Sequence, residues 1–268
     1  MTTTLRFHRL LLTGAAGHLG RVLRPRLKSL CAELRLSDVA PMDPAGPGEE
    51  LRPADLADKA ATMALLDGVD AVVHLGGIST EHSFEDIAGP NLFGAYHVYE
   101  GARVHGCRRV VFASSNHVTG FYTQGETISP QAAPRPDGYY GLSKAFGENL
   151  AQFYFDRWGI ETVSLRIGSS FAKPADRRML ATWLSFDDLE RLVTAALTAP
   201  VVGHSVVYGM SDNRLVWWDN RSASHLGYQP QDSSEQFRAA IEARQGIVDP
   251  TLPAARFQGG AFVTQGPF

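Results

Sequence analysis

The stretch Thr13-Gly14-Ala15-Ala16-Gly17-His18-Leu19-Gly20 constrains the fold more than any other part of the chain. It follows an apolar run, Phe7 to Thr13, that reads as a buried strand. It opens His18 to Leu30, where Leu19, Val22, Leu23 and Leu27 recur at helical spacing. Pro25 is expected near the first turns of that helix, where a missing N–H costs little. Glycines between strand and helix permit a tight turn, close approach of a pyrophosphate to the backbone, and close helix–strand contact. The helix start adds free N–H groups and the positive end of a dipole.

A second strand, Glu33 to Ser37, ends at Asp38. A carboxylate there accepts hydrogen bonds from the adenosine ribose hydroxyls and repels a 2′-phosphate, so the unit favours NAD over NADP. Asp55 and Leu56 are placed to touch the adenine, and Asp55 is equally suited to cap a helix.

The alternation continues with a helix over Leu56 to Leu66 and a strand over Asp70 to Leu75 ending in Gly76-Gly77. A helix over Asn91 to Val104 and a strand over Arg109 to Ala113 come next, the latter running into Ser114-Ser115-Asn116. A polar loop reaches Asp137, then come a helix over 139–157 and a strand over Glu161 to Ile167. Strand and helix alternate at this spacing when crossovers build a parallel sheet covered on both faces, so the expected class is α/β, a doubly wound Rossmann-type sheet. After Ile167 the rhythm changes. Ser185 with Asp188 reads as a capping pair for the helix Leu189 to Leu197, and Ser205 to Tyr208 as one more strand. The expected organisation is an NAD-binding region over 1–168, with a small substrate-binding region over 169–268 packed on it.

Bulk properties exclude several classes. Hydrophobic residues make up 44% of the 268, enough for a packed core, and the net charge of -3 is interspersed. Without a basic stripe or basic amphipathic helix, no nucleic-acid or membrane partner is expected. There is no apolar run of about 18 residues, no signal peptide, and no patterned set of cysteines, which fits a cytoplasmic protein. No cluster of His, Cys and acids resembles a metal site.

The chemistry resides in Tyr140 and Lys144, four apart at the start of a helix and so on one side of it. A free tyrosine titrates near 10, and a nearby ammonium is expected to lower that value and make the phenol a base. Ser115 ends the strand that precedes this helix, where a parallel sheet places its ligands, and can hold the reacting oxygen beside Tyr140.

Together the Gly14/Gly17/Gly20 turn, Asp38, Asp55-Leu56, His74-Leu75-Gly76-Gly77, Asn91, Ser115 and Tyr140-x-x-x-Lys144 resemble the extended short-chain dehydrogenase/reductase family. His74 to Ser79, Phe112 to His117, Ala133 to Gly138, Arg166 to Ser169, Arg178 to Leu180 and Arg256 to Gly260 resemble its uronate dehydrogenase branch. That resemblance implies oxidation of D-galacturonate and D-glucuronate at C1 to the aldarolactone, with Tyr140 as base and NAD as hydride acceptor. It also implies that Arg178 takes the sugar carboxylate, and that Ser79, Ser115, Asn116, His117, Tyr140 and Ser169 contact the substrate. Val39, Leu75 to Ile78, Lys144 and Ser170 would lie by the cofactor, and His18 and Leu19 would offer backbone N–H groups to its pyrophosphate. Family members assemble through surface helices, so a homo-oligomer is expected. Arg177, the Gly89-Pro90 pair and Ser170 depart from the family pattern. Two rival readings share the fold: a nucleotide-sugar epimerase or dehydratase, which needs a larger C-terminal region, and a non-catalytic dinucleotide sensor, which predicts a degraded Ser, Tyr or Lys.

Overall fold

The computed structural model describes residues 6–246 and 249–266. Its first part runs β1 (Phe7–Thr13), α1 (His18–Leu27), β2 (Cys31–Ser37), β3 (Glu49–Leu51), α2 (Lys59–Leu65), β4 (Ala71–His74), α3 (Phe84–Ile87), α4 (Gly94–His105), β5 (Arg109–Ser115), α5 (Tyr139–Trp158) and β6 (Glu161–Ile167). Its second part runs β7 (Ser169–Ser170), α6 (Met179–Thr182), β8 (Trp183–Leu184), α7 (Phe186–Thr198), β9 (His204–Gly209), α8 (Arg238–Gln245) and α9 (Pro253–Arg256). Seven strands form one sheet in the order β3-β2-β1-β4-β5-β6-β9. Every neighbouring pair is parallel. The winding reverses between β1 and β4, and the crevice at that switch point is where such sheets bind ligands.

The continuous apolar character of β1 follows from burial on both faces. Leu10 and Leu12 pack with Leu23 and Leu27 of α1 and Leu189, Leu192 and Val193 of α7. Leu11 points the other way, into a cluster with Val98 and Tyr99 of α4 and Ala151 and Tyr154 of α5. Each such side chain, fully withdrawn from water, contributes about 1.5–3 kcal/mol. Under α5 lies a buried ion pair: Glu148 takes Arg166 through both oxygens, at 2.9 and 2.8 Å, and also accepts from Ser114 Oγ at 2.6 Å. It ties the helix of Tyr140 to the strands on which it rests.

Three local expectations change. Pro25 lies near the end of α1 and not in its first turns. The lost hydrogen bond falls on an exposed position, and the helix stops soon after at Leu27. Gly89-Pro90 does not break the run into α4; a π-helical turn over Ala88–Phe93 carries the chain from α3 into α4. β3, with the sequence Glu-Glu-Leu, has no strand signature and owes its form to pairing with β2. Ser185 caps α7 as expected, accepting from Asp188 N at 2.9 Å.

The chain after residue 168 contributes both to the sheet, through β9, and to the site, through a strap over Phe257–Gly259. Gln258 N and Gly259 N donate to Tyr122 O and Gly120 O, both at 2.8 Å, binding the strap to the loop after β5. Among the described residues no helix is long and apolar enough to cross a membrane.

Candidate active site

The turn after β1 is as tight as its glycines suggest. Gly14 has φ +71°, and a Cβ there would meet Gly76 N of the loop after β4 at 2.8 Å. At Gly20 a Cβ would lie 2.1 Å from Gly14 O, so α1 could not pack against the turn. α1 begins at N-cap Gly17 with no side-chain cap, leaving its first N–H groups to a ligand. Asp38 leans over this turn: its oxygens accept from Ala16 N at 2.9 Å and Ala40 N at 3.0 Å. Each oxygen retains capacity for a ribose hydroxyl. Asp55 does not cap α2. The cap is Asp58, whose carboxylate accepts from Ala61 N, while Asp55 closes a turn by accepting from Ala57 N at 2.9 Å.

These groups line one cleft of about 1020 Å³ at the switch point. Gly14, Gly17 to Gly20, Asp38, Val39, Asp55, Leu56 and Leu75 to Ser79 stand on its walls, with Ser115 to His117, Tyr140, Lys144, Ser169, Ser170 and Arg178. Every residue expected at the site from the sequence is thus brought to a single space. A dinucleotide fits this lining. The glycine cradle admits a phosphate backbone, and the buried Ser170 Oγ at its wall has no partner among the described residues.

Loop 75–81 is held to α5 at two points. Asn91, on the π-helical turn, accepts from Ile78 N at 2.8 Å and donates to Ile78 O and to Ser143 Oγ of α5, both at 3.0 Å. Glu81 accepts from Tyr139 N at 2.7 Å and Tyr140 N at 2.8 Å, one oxygen each. Because α5 has no acidic residue in its first turn, Glu81 supplies the negative charge favoured at a helix start. The backbone of Tyr140 is fixed by the same loop that carries Ser79.

Tyr140 and Lys144 are both buried. Burial pushes the Tyr140 phenol up to about 12, against the opposing effect of the Ser115 hydroxyl beside it. The same burial brings the Lys144 amine down to about 8. In the free protein the expected lowering of the phenol by the lysine is therefore not met. Lys144 Nζ lies 5.6 Å from the centre of the Tyr140 ring, and desolvation dominates both groups.

At the other end of the cleft Arg178 is half-buried, not a solvated surface charge. Its hydrogen bonds run to neutral oxygens: Nε to Gln258 O at 2.6 Å and Nη1 to Ser169 Oγ at 3.2 Å, and with the Asn116 amide turned so that its oxygen faces the guanidinium, Nη2 to that oxygen at 2.7 Å. Burial holds its pKa below the usual value. Ser169 is steadied by Thr182 Oγ1 at 2.9 Å. His117 Nδ1 lies 2.7 Å from Asp137 Oδ2, and Phe262 stacks on the imidazole with centroids 3.8 Å apart.

Sequence reasoning missed Glu81, Asp137, Gln258 and Phe262. Gln258 is fully buried, donates to Thr123 O and Glu126 O, and accepts from Trp218 Nε1. It carries the strap that presents Arg178 and Phe262 to the cleft. The available signals were its place in the Arg256 to Gly260 segment, which resembles the family, and a polar residue set between Phe257 and two glycines.

Residues 10–202 match the model of the NAD dependent epimerase/dehydratase family. The chain is 62% identical to the uronate dehydrogenase of Pseudomonas putida, over 99% of each chain. It is 60% identical to that of Pseudomonas syringae pv. tomato, over 100% of this chain and 97% of the relative. The crystal structure of uronate dehydrogenase from Agrobacterium tumefaciens superposes with a TM-score of 0.94 at 51% identity, covering 97% of each chain. A mutant of that enzyme complexed with NAD superposes with a TM-score of 0.95 at 51% identity, over 97% of this chain and 98% of the mutant's. The chain belongs to the NAD dependent epimerase/dehydratase family and, within it, to the uronate dehydrogenases.

Proposed function

We propose that this chain oxidises D-galacturonate and D-glucuronate at C1 to the aldarolactone with formation of NADH. The observation that carries the substrate class is Arg178, a desolvated guanidinium facing the cleft with only neutral oxygens on its donors. A carboxylate is the ligand that such a fork lacks. NAD, when bound, supplies the hydride acceptor. Gly14, Gly17, His18, Leu19 and Gly20 hold its pyrophosphate, Asp38 and Val39 its adenosine ribose, and Asp55 and Leu56 its adenine. Leu75 to Ile78, Lys144 and Ser170 lie along the rest of it. Tyr140 accepts the proton of the C1 hydroxyl, Ser115 holds that oxygen, and Lys144 favours the phenolate. His117 takes a hydroxyl, and Ser79, Asn116 and Ser169 take the remaining hydroxyls and help to seat the carboxylate. Residues 1–168 form the cofactor half and 169–268 the substrate half, although β9 belongs to the common sheet.

Absorbance of NADH across a panel of sugars tests this reading. Both uronates yield NADH, and galactose is slower by at least about tenfold, the loss expected when a charged hydrogen bond goes unmade. NADP replaces NAD poorly because Asp38 faces its 2′-phosphate. Silence with both uronates would sink the assignment.

We further infer a homo-oligomer in the cytoplasm. Leu142, Phe146 and Phe153 are 39–47% exposed and recur along α5, with Phe93 and Val104 exposed at either end of α4. An apolar helix face of this kind marks an interface. Both cysteines are free and buried, as suits a reducing compartment. Cell fractionation followed by light scattering checks both points: the protein is expected in the cytosolic fraction at a multiple of 29.2 kDa. A monomer mass, or a membrane or periplasmic location, overturns the corresponding half.

A further inference from the structure

Three separate segments make room for Asp137, a side chain that touches neither Tyr140 Oη nor Lys144 Nζ by a hydrogen bond. A Cβ at Gly120, in the loop after β5, or at Gly259, in the C-terminal strap, would lie 1.9 Å from its Oδ2. A Cβ at Gly141, in the first turn of α5, would lie 2.4 Å from His117 O and 3.2 Å from Asp137 Oδ1. The side chain is wholly withdrawn from solvent, and its Oδ2 meets His117 Nδ1 at 2.7 Å. Its backbone N–H also donates to His117 O at 3.3 Å. The imidazole cannot turn away, because Phe262 stacks on it at 3.8 Å and Tyr140 abuts it edge-on at 5.9 Å.

We propose that Asp137 is a positioning residue that locks His117 in the Nδ1–H tautomer, making its Nε2 a hydrogen-bond acceptor toward the substrate. The charged groups acting on the ring are Asp137 and Glu81, which favour a proton, and Arg178, which opposes one. Burial outweighs them and keeps the imidazole below its ordinary pKa, hence neutral near pH 7. A neutral imidazole has one N–H and one lone pair. At 2.7 Å the Asp137 oxygen accepts from the ring, so the N–H stands on Nδ1 and the lone pair on Nε2.

The tautomer sets how a sugar acid lies in the cleft. A lone pair at Nε2 repels a carboxylate oxygen and welcomes a hydroxyl, whereas Arg178 prefers the carboxylate. The two groups sort the ends of the substrate and leave C1 at Tyr140. The inference rests on the sugar-acid reading for this consequence, but the tautomer itself does not.

The test is a two-bond 1H–15N spectrum of the uniformly labelled protein without substrate. It separates the Nδ1–H and Nε2–H forms of each of the 9 histidines. Loss of one signal set in His117→Gln identifies the residue. The expected result is a single Nδ1–H form for His117. In Asp137→Asn the amide can turn an N–H toward Nδ1, so the Nε2–H form gains population. The same variant should lose about tenfold in kcat/KM for galacturonate with an unchanged affinity for NAD. An Nε2–H form in the unsubstituted protein overturns the proposal even if Asp137→Asn does not fold. So does an Asp137→Asn protein that shifts neither tautomer nor kcat/KM. Absence of NADH from any uronate in the unsubstituted protein would instead refute the sugar-acid reading and leave the tautomer result standing.

Discussion

Replacing Tyr140 with phenylalanine is expected to lower turnover of galacturonate by about a thousandfold, within the range that a positioned base contributes, while NAD binding stays within about twofold of its original strength. The ring packs edge-on against His117 and its backbone is fixed by Glu81, and neither contact needs the hydroxyl. With burial holding the phenol at about 12, the substitution removes no charge from the free protein at neutral pH. What is lost is the proton acceptor at C1. The sign of the pH dependence follows. A phenol raised by burial is neutral at pH 7, and a rising pH favours the phenolate, so kcat/KM of the unsubstituted protein should climb toward alkaline pH. The Tyr140→Phe protein should lack that limb. Initial rates of NADH formation between pH 6 and 10, with cofactor binding followed by fluorescence, check both statements. Retention of more than about a tenth of the turnover would remove Tyr140 from the role of base.

The parts of this protein that were legible in its sequence are those whose physics is local. The turn of Gly14 and Gly20 needs positive φ and an absent Cβ within a single strand–turn–helix unit, and both requirements appear as letters. Asp38 is legible because a strand end fixes where its carboxylate points, and Tyr140 with Lys144 because a helix places residues four apart on one side. Glu81 is different. It acts on backbone N–H groups 58 and 59 positions away, and nothing near it in the chain announces a helix to be capped. Gln258 bonds to Thr123 and Glu126 across more than 130 residues, so its function exists only once the strap has docked. The phenol of Tyr140 shows the same limit in electrostatics. Spacing places Lys144 on the right side of the helix, but only the packed structure reveals that desolvation outweighs the expected help from the ammonium. Pairing likewise makes a strand of Glu49–Leu51, and Asn91 is useful because a π-helical turn aims it at Ile78 and Ser143.

The second large effect concerns Arg178, and its value lies in a comparison between two substrates. Arg178→Leu is expected to lower kcat/KM for galacturonate by about a hundredfold, because hydrogen bonds to a charged partner are worth roughly 1.5–3 kcal/mol and each 1.36 kcal/mol is tenfold. For galactose, which has no carboxylate, the same substitution should change kcat/KM by no more than about threefold, the residue of altered packing. Arg178→Lys retains the charge but not the planar fork, so it should fall between the two. The comparison matters because Arg178 also has a structural claim on the site. Its Nε holds Gln258 O at 2.6 Å, and Gly260 lies so close that a Cβ there would sit 2.5 Å from Arg178 Cδ. If the guanidinium served only to fasten the strap, both substrates would lose rate together, since Phe262 and His117 would shift for each. A loss confined to the uronate separates recognition of the carboxylate from support of the wall, and equal losses would reduce Arg178 to a brace.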